Sequence, residues 1–440
     1  MPNPFLPLWE YIPDAEPRVF GDRVYIYGSH DRAGSDAFCD HKLKVWSAPV
    51  DDLNRWQCHG DSFHTRPDSD HDSDTVSWTD RELYAPDVIC KDGKYYLYAY
   101  ILGSKGCVGI SEKPEGPFRL LSKYKYDESD AGDEGIFNDA GVLVDDDGRV
   151  YIYYGFERSH MNELDPCNMF EIKKGSYKAD VIPAGKKDDD FFEASSPRKI
   201  GDKYYLIYSP RKGSRLFYAI ADNPYGPFER KGYIIDNSVD YPGGNNHGSV
   251  CCIKGQWYIF YHRMTNGTIM SRRACAEKIE ISPDGTIKPV EMTSLGFEEA
   301  LDPYRVTPAE IACVLKGGCF ITEKSSFSRP ITNIRTGSVI GYKYFDFGED
   351  YSSKTMELSF NVTGAGCKST VKVLLDDYEN GEELGVCSIG MHDGEYSARI
   401  KSVTGRHAVF FRIEHSYSGW FADSFNDRNL FDLNEFVFRK

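Results

Sequence analysis

The chain has 440 residues, of which 27% are charged and 40% hydrophobic. This is the balance of a globular protein with room for two or three domains, and it excludes the disordered and fibrous classes. A net charge of −16 repels phosphate backbones and anionic lipid, so neither nucleic acid nor a membrane surface is expected as a partner.

Aromatic residues are abundant, with 30 Tyr and 26 Phe, and favour half-buried pleated surfaces. The N-terminal stretch MPNPFLPLWEYIPD has no basic segment followed by an apolar one, so no signal peptide is expected. No run of 18 apolar residues is long enough to span a bilayer. Twelve cysteines lack any C-x-x-C pair, which predicts free thiols in a reducing compartment and a cytoplasmic protein. The sequons at Asn266 and Asn361 then carry no glycan.

Five segments repeat one pattern, a Gly-containing polar turn followed by an aromatic run. They are GDRVYIYGS from Gly21, DGKYYLYAY from Asp92, DGRVYIYYG from Asp147, GDKYYLIYS from Gly201 and GQWYIFYHR from Gly255. Aligning the turns aligns Tyr25, Tyr96, Tyr151, Tyr205 and Tyr258, at intervals of 71, 55, 54 and 53 residues. A Gly/Asp turn ahead of an alternating run predicts a hairpin, and about 54 residues leaves room for four short strands. EGPFRLL from Glu115 and YGPFERKGY from Tyr225 echo each other behind their hairpins. Five such units predict a five-bladed β-propeller over residues 1–295, with an ordinary sandwich as the alternative. The surplus of the first interval falls in His64–Asp80, a polar loop whose Asp and His residues match no standard metal-ligand spacing. Its Trp78 is placed to stack on a ligand near the channel mouth.

After a connector at Thr293–Val306, the period is lost and short alternating strands follow: VIGYKYFDF, TMELSFNV, TVKVLLDD, HAVFFRIE and FDLNEFVF. Residues 307–440 therefore read as a β-sandwich of jelly-roll type, and the whole chain as all-β.

About ten residues before each marker tyrosine stands a polar group: Asp14, Asp87, Asp139, Glu193 and His247. The innermost strand of each blade lines the channel, so these side chains are expected to converge on one mouth. Clustered, partly desolvated carboxylates separate into protonated and ionised members. That supplies the acid and the base that glycoside hydrolysis needs.

The five-fold pattern, with PDAEP at Asp14, IFNDAGVLVDDDGRVYIYYG at Asp139, FFEASSPRKIGDKYYLIYS at Glu193 and NNHGSV at His247, resembles glycoside hydrolase family 43 over residues 1–295. The resemblance implies a five-bladed propeller and inversion at the sugar. It makes Asp14 the general base, Asp139 the modulator of pKa and Glu193 the general acid. The family usually has Asp directly before Pro at the base position, whereas here Asp14-Ala15-Glu16-Pro17 leaves Glu16 as a competing base. Ala140 stands where the family commonly has Pro. By the same resemblance, His247 touches a central calcium or a water cluster, Arg272 (or Arg273) reaches the sugar, and Asp87 in the APD motif holds a hydroxyl. No organic cofactor is implied.

The C-terminal part resembles a family 6 carbohydrate-binding module, in AEIACVLKGG and LFDLNEFVF. That likeness places a structural calcium at Glu310 and Asp432 and leaves Trp420 either as a sugar platform or as a seal between the domains. Together these features predict an exo-acting enzyme on oligosaccharides, an α-L-arabinofuranosidase on arabinoxylan fragments, with β-xylosidase as the alternative. A non-catalytic sugar-binding propeller and a protein-interaction propeller are the readings from other classes, and the oligomeric state is left open.

Overall fold

The computed structural model of the protein describes residues 1–132, 135–349 and 352–440. Five antiparallel sheets follow one another through the first 279 residues. Their innermost strands are Glu16–Phe20, Leu83–Lys91, Gly141–Val144, Phe191–Ile200 and Ser249–Ile253. The first to the second, the second to the third, the third to the fourth and the fifth to the first are in contact. Arg198 Nε closes the remaining gap by donating to Val250 O at 2.9 Å. The ring is therefore complete, as the repeat predicts.

Turn chemistry explains the hairpins. Asp92–Gly93 and Lys254–Gly255 both have positive φ at two successive residues, the signature of two-residue turns whose twist matches the strands. The five marker tyrosines pair with Arg18, Ile89, Leu143, Arg198 and Cys251, so they occupy equivalent positions. The EGPF and YGPF echoes are also equivalent, since both Gly-Pro bonds are cis.

The fifth blade differs from the expected four strands by having three. The N-terminal segment covers its outer edge instead. Phe5 N–H donates to Ala274 O, and the Asn3 side-chain amide both donates to Ala276 O and accepts from its N–H. Capping an edge this way removes a row of unpaired backbone groups.

Residues 307–439 form two facing sheets. The strand Thr355–Thr363 alternates exposed and buried along most of its length, as a one-sided sheet requires. Phe360, Phe411, Phe436 and Tyr342 fill the space between the sheets, with the Phe411 and Phe436 rings 4.9 Å apart edge to face. This core continues without a break into that of the fourth and fifth blades. The fully buried Arg263 stitches the parts together, donating to Ala312 O, Asn3 O and Glu310 O.

Candidate active site

Each inner strand begins at one mouth of the channel. The register places Asp14, Ala85, Asp139, Ala194 and His247 at one level, four residues ahead of the partners of the marker tyrosines. Four of these five have φ in the left-handed region: Asp14 (57°), Ala85 (34°), Asp139 (47°) and Ala194 (68°). Such a conformation costs a non-glycine residue roughly 1–2 kcal/mol, so the packed ring must impose it. In the fourth blade a bulge between Glu193 and Ser196 brings Glu193 to the mouth beside Ala194. Gly141 is required here, because a Cβ on it would lie 2.2 Å from Ser195 O. That close approach lets the Ala194 N–H donate to Asp139 Oδ2 at 3.2 Å.

Two residues deeper, the same strand faces carry Glu16 and Asp87, and two deeper again Arg18 and Arg198. These form buried pairs. Arg18 grips Asp87 through Nε and Nη2 at 3.0 and 2.7 Å, and Arg198 Nη2 is bonded to Glu16. They also satisfy free edges of the inner strands, since Asp87 Oδ2 accepts from Val142 N–H and Arg18 donates to Val142 O. The expectation that Asp87 touches a sugar is thus corrected. It lies one level below the mouth, neutralised by Arg18. Glu16 is likewise committed to Arg198 and Ser196, which removes it from competition with Asp14.

At the mouth a cavity of about 690 Å³ is lined by Asp14, Asp139, Glu193, His247 and Arg272, with aromatic walls from Phe38, Tyr84, Tyr100 and Phe156. Asp14 Oδ1 accepts from Arg272 Nη1 at 3.0 Å, and Oδ2 accepts from Ser29 Oγ at 2.7 Å. Its own N–H donates to His262 Nδ1, so that histidine carries its proton on Nε2, facing Asn245 O. Burial, reinforced by Arg272, pushes His262 down to about 3 and keeps it neutral. The rest of the Arg272 guanidinium is held by Asp31, Nε and Nη2 each lying 2.9 Å from a carboxylate oxygen. Arg273 points the other way, onto the Tyr11 ring and towards Glu323 of the sandwich. The choice between the two arginines therefore falls to Arg272.

The three carboxyls are driven apart in ionisation. Burial raises Asp14, but Arg272 above all, with His247 and the Ser29 hydroxyl, brings it below the ordinary carboxylate range. Asp139 is pushed up to about 7 by burial and then by the Glu193 charge. Glu193 is pushed up to about 7 by burial and then by Asp14, against the pull of Arg272. Among the described residues no hydrogen bond holds the Glu193 carboxyl, which faces the cavity. The site therefore combines an ionised carboxylate with a pair that keeps a proton towards neutral pH, the split that acid–base chemistry on one bond requires.

Other expectations are corrected. Trp78 does not line the cavity. Its indole N–H donates to Ser104 Oγ at 3.1 Å, and Lys123 Nζ stands 4.1 Å from its ring centroid, because the 64–80 loop folds over the outer strands. In that loop Asp68 and His71 gather with Asp61, but Lys42 Nζ already sits between them, 2.8 Å from Asp61 and 3.3 Å from Asp68. Asp432 is consumed by Lys324, Thr332 and Asn429, so it has no vacant oxygen to share a calcium with Glu310. Trp420 is 95% exposed and seals nothing. A calcium at His247 would need about six to eight oxygen ligands. The nearest carboxylate oxygens, of Asp14 and Asp139, each lie 3.9 Å from Nδ1, and that of Asp14 is already bonded to Arg272. A calcium beside His247 would therefore draw most of its ligands from water.

Several functional residues escaped the sequence reading. Tyr84 and Asn245 adjoin motifs already singled out and were legible by proximity. Asp31, Phe38 and Phe156 lie in irregular segments where neither period nor motif marks them.

Residues 1–287 match the family described as glycosyl hydrolases family 43. Among similar proteins, a xylosidase/arabinosidase of Thermoclostridium stercorarium is 36% identical, covering 94% of this chain and 96% of its own. An arabinoxylan arabinofuranohydrolase of Paenibacillus polymyxa is 27% identical over 94% of this chain and 72% of its own. A solved family 43 β-xylosidase/α-arabinofuranosidase from a compost microbial metagenome, in complex with xylotriose and in a calcium-free form, is 26% identical with a TM-score of 0.54. It covers 66% of this chain and 99% of its own.

Proposed function

Since the chain belongs to glycosyl hydrolases family 43, we propose that it is an exo-acting hydrolase releasing α-L-arabinofuranosyl side groups from arabinoxylan-derived oligosaccharides, with inversion. The observation that carries this reading is the split ionisation of Asp14 against Asp139 and Glu193 within one cavity. Asp14, ionised, takes a proton from a water molecule whose oxygen attacks the anomeric carbon. Glu193, protonated, gives its proton to the glycosidic oxygen as that bond breaks. Asp139 acts as the modulator of pKa, since a charge on Glu193 raises it and the pair resists ionising twice. Inverting pairs stand about 6.5–9.5 Å apart to admit the water. Arg272, fixed by Asp31, holds Asp14 ionised and faces the bound sugar.

A pocket at the channel mouth suits removal of a terminal unit, and aromatic walls suit a sugar ring. The names of the relatives favour arabinofuranoside and support β-xyloside as a second substrate. The sandwich, read as a module of carbohydrate-binding family 6 type, serves as a buttress through Arg263 and Glu323. Twelve unpaired thiols suit a reducing compartment, hence short oligosaccharides in the cytoplasm. Rates on 4-nitrophenyl α-L-arabinofuranoside and β-D-xylopyranoside, with proton NMR of the freshly released sugar, test the reading. Faster arabinoside cleavage with an inverted anomer is expected. A retained anomer or inactivity on both substrates overturns it.

A further inference from the structure

The loop Gly28–His41 joins the second and third strands of the first blade and carries much of what surrounds Asp14. Ser29 Oγ donates to Asp14, and Asp31 locks Arg272. Phe38 walls the cavity with its ring centroid 4.8 Å from the Arg272 guanidinium, and Cys39 Sγ accepts from Arg272 Nη2 at 3.5 Å. An irregular loop has no strand ladder to fix its backbone, so side-chain bonds must hold it.

One side chain ties this loop together. His30 Nδ1 lies 3.2 Å from Asp40 Oδ2, near the far end of the loop, and Nε2 lies 3.0 Å from Glu10 Oε1. Glu10 belongs to the N-terminal segment that carries Asp14. The two stretches meet again where Asp31 N–H donates to Tyr11 O at 3.0 Å. They also touch at Gly28, where a Cβ would lie 2.3 Å from Pro13 O. His30 thus joins both ends of the loop to the segment that seats Asp14, and it stands in sequence between the residues that hold Asp14 and Arg272.

The geometry also sets the charge of this ring. An ionised carboxylate only accepts hydrogen bonds, so two carboxylate partners require a proton on each ring nitrogen. A neutral imidazole carries one proton, and its bare nitrogen would face a carboxylate lone pair. The surroundings leave room for a cation. Glu10 is buried and accepts from Trp46 Nε1 at 3.1 Å and from Lys44 Nζ at 3.4 Å. Arg32 only approaches Asp40, at 3.9 Å, and Asp61, opposite Lys44 in the sheet, is taken by Lys42 at 2.8 Å. Burial disfavours a charge on His30, but the bonds to Asp40 and Glu10 outweigh it and raise the ring above its ordinary value. Burial raises the two carboxyls, and His30 brings both below theirs.

We propose that His30 is a positioning residue of the reaction, a doubly bonded imidazolium that fixes the loop Gly28–His41 against the Glu10–Asp14 segment and so sets Arg272 against Asp14. The inference rests on the reading of Asp14 as the base. Loss of one ring proton breaks one of the two bonds, so the loop loosens as pH rises through the His30 titration.

His30→Gln removes the cation, and Asp40→Ala, at a half-buried position, removes one anchor and is the milder change. For the wild type and both variants, kcat/KM on the faster of the two aryl glycosides is measured from about pH 3 to about pH 8. Folding is followed by the thermal midpoint, and the ring nitrogens by NMR of protein labelled with ¹⁵N-histidine. The signal missing from His30→Gln identifies His30. In the wild type both nitrogens are expected to be protonated at the ordinary histidine midpoint of about pH 6.5, with the titration lying above it and falling in Asp40→Ala. In either folded variant kcat/KM falls by about 10–10²-fold, and the acidic limb moves to higher pH because Arg272 no longer holds Asp14. An acidic limb that stays in place in a folded variant overturns the positioning role, and either variant suffices for this. A neutral His30 ring at about pH 6.5 overturns the clamp. Inactivity of the wild type on both aryl glycosides instead overturns the functional reading, and the titration of His30 then judges the clamp independently.

Discussion

Arg272 donates from Nη1 to Asp14 Oδ1 at 3.0 Å, and the remainder of its guanidinium is locked bidentately by Asp31. One cation thus serves two buried carboxylates, and its position is not adjustable. The same arginine restrains the rise of Glu193 without cancelling it, because burial and the Asp14 charge outweigh it there. The site's division between ionised and protonated carboxyls follows from that asymmetry.

A bell-shaped dependence of kcat/KM on pH is the first consequence. Turnover requires Asp14 ionised and Glu193 protonated. The acidic limb therefore lies below the ordinary carboxylate range, and the alkaline limb lies near pH 7. In Arg272→Met the acidic limb moves to higher pH, because Asp14 loses its principal counter-charge. A profile displaced only in height would show that Arg272 does not set the ionisation.

Asp14→Asn and Glu16→Gln separate the two candidate bases. The first is expected to lower kcat by about 10²–10⁴-fold with little change in thermal midpoint. The second leaves Arg198 buried beside a neutral group, and breaking such a pair costs about 3–5 kcal/mol. Its midpoint falls accordingly, while the folded fraction stays active. Activity and melting curves of both variants decide the matter.

How much of this was legible in the sequence depends on the level of structure. The hairpins announce themselves through turn residues and aromatic alternation, so the ring of blades and the markers Tyr25 to Tyr258 are readable directly. Asp14, Asp139 and His247 follow from their phase. Asp87 does not, because its count of nine residues before Tyr96, against eleven or twelve elsewhere, places it two residues deeper on the same face. Glu193 reaches the mouth only through a bulge, which no residue count reveals. Trp78 is misleading because its loop has no period, so nothing in the sequence says which way it folds; the same lack leaves Trp420 with two readings, of which its exposure removes the seal.

Native-state pKa values raised above those of the unfolded chain also leave a mark on stability. The folded protein retains a proton on the Asp139–Glu193 pair up to about pH 7, whereas unfolded carboxyls release theirs near pH 4. Stability therefore falls as pH rises across that interval. Glu193→Gln, which cannot ionise, is expected to melt higher than the wild type above pH 7, with the advantage shrinking towards pH 4. Thermal midpoints of both proteins across pH 4–8 test this, and parallel curves would contradict it.

The sandwich is expected to be inseparable from the propeller. Its core is continuous with that of the fourth and fifth blades, and Glu323 faces both Arg273 and Arg329. Residues 1–295 expressed alone would expose that apolar face, leave Arg263 with Asn3 O as the one remaining backbone acceptor of its three, and take Glu323 from Arg273. Aggregation or a strongly lowered midpoint is the predicted result. Glu323→Gln in the full chain should lower the midpoint while leaving the alkaline limb of the pH profile in place.

The most direct test of the acid–base account is the response of Glu193→Gln to leaving-group quality. Rates are compared with the wild type on an arabinofuranoside with a poor leaving group, an unactivated oligosaccharide, and on one with a good leaving group, 2,4-dinitrophenyl α-L-arabinofuranoside. If Glu193 is the proton donor, the variant loses about 10²–10⁴-fold on the first and far less on the second, which needs no proton. Equal losses on both substrates would show that Glu193 does not protonate the leaving oxygen, and the assignment of the three carboxyls would fall with it.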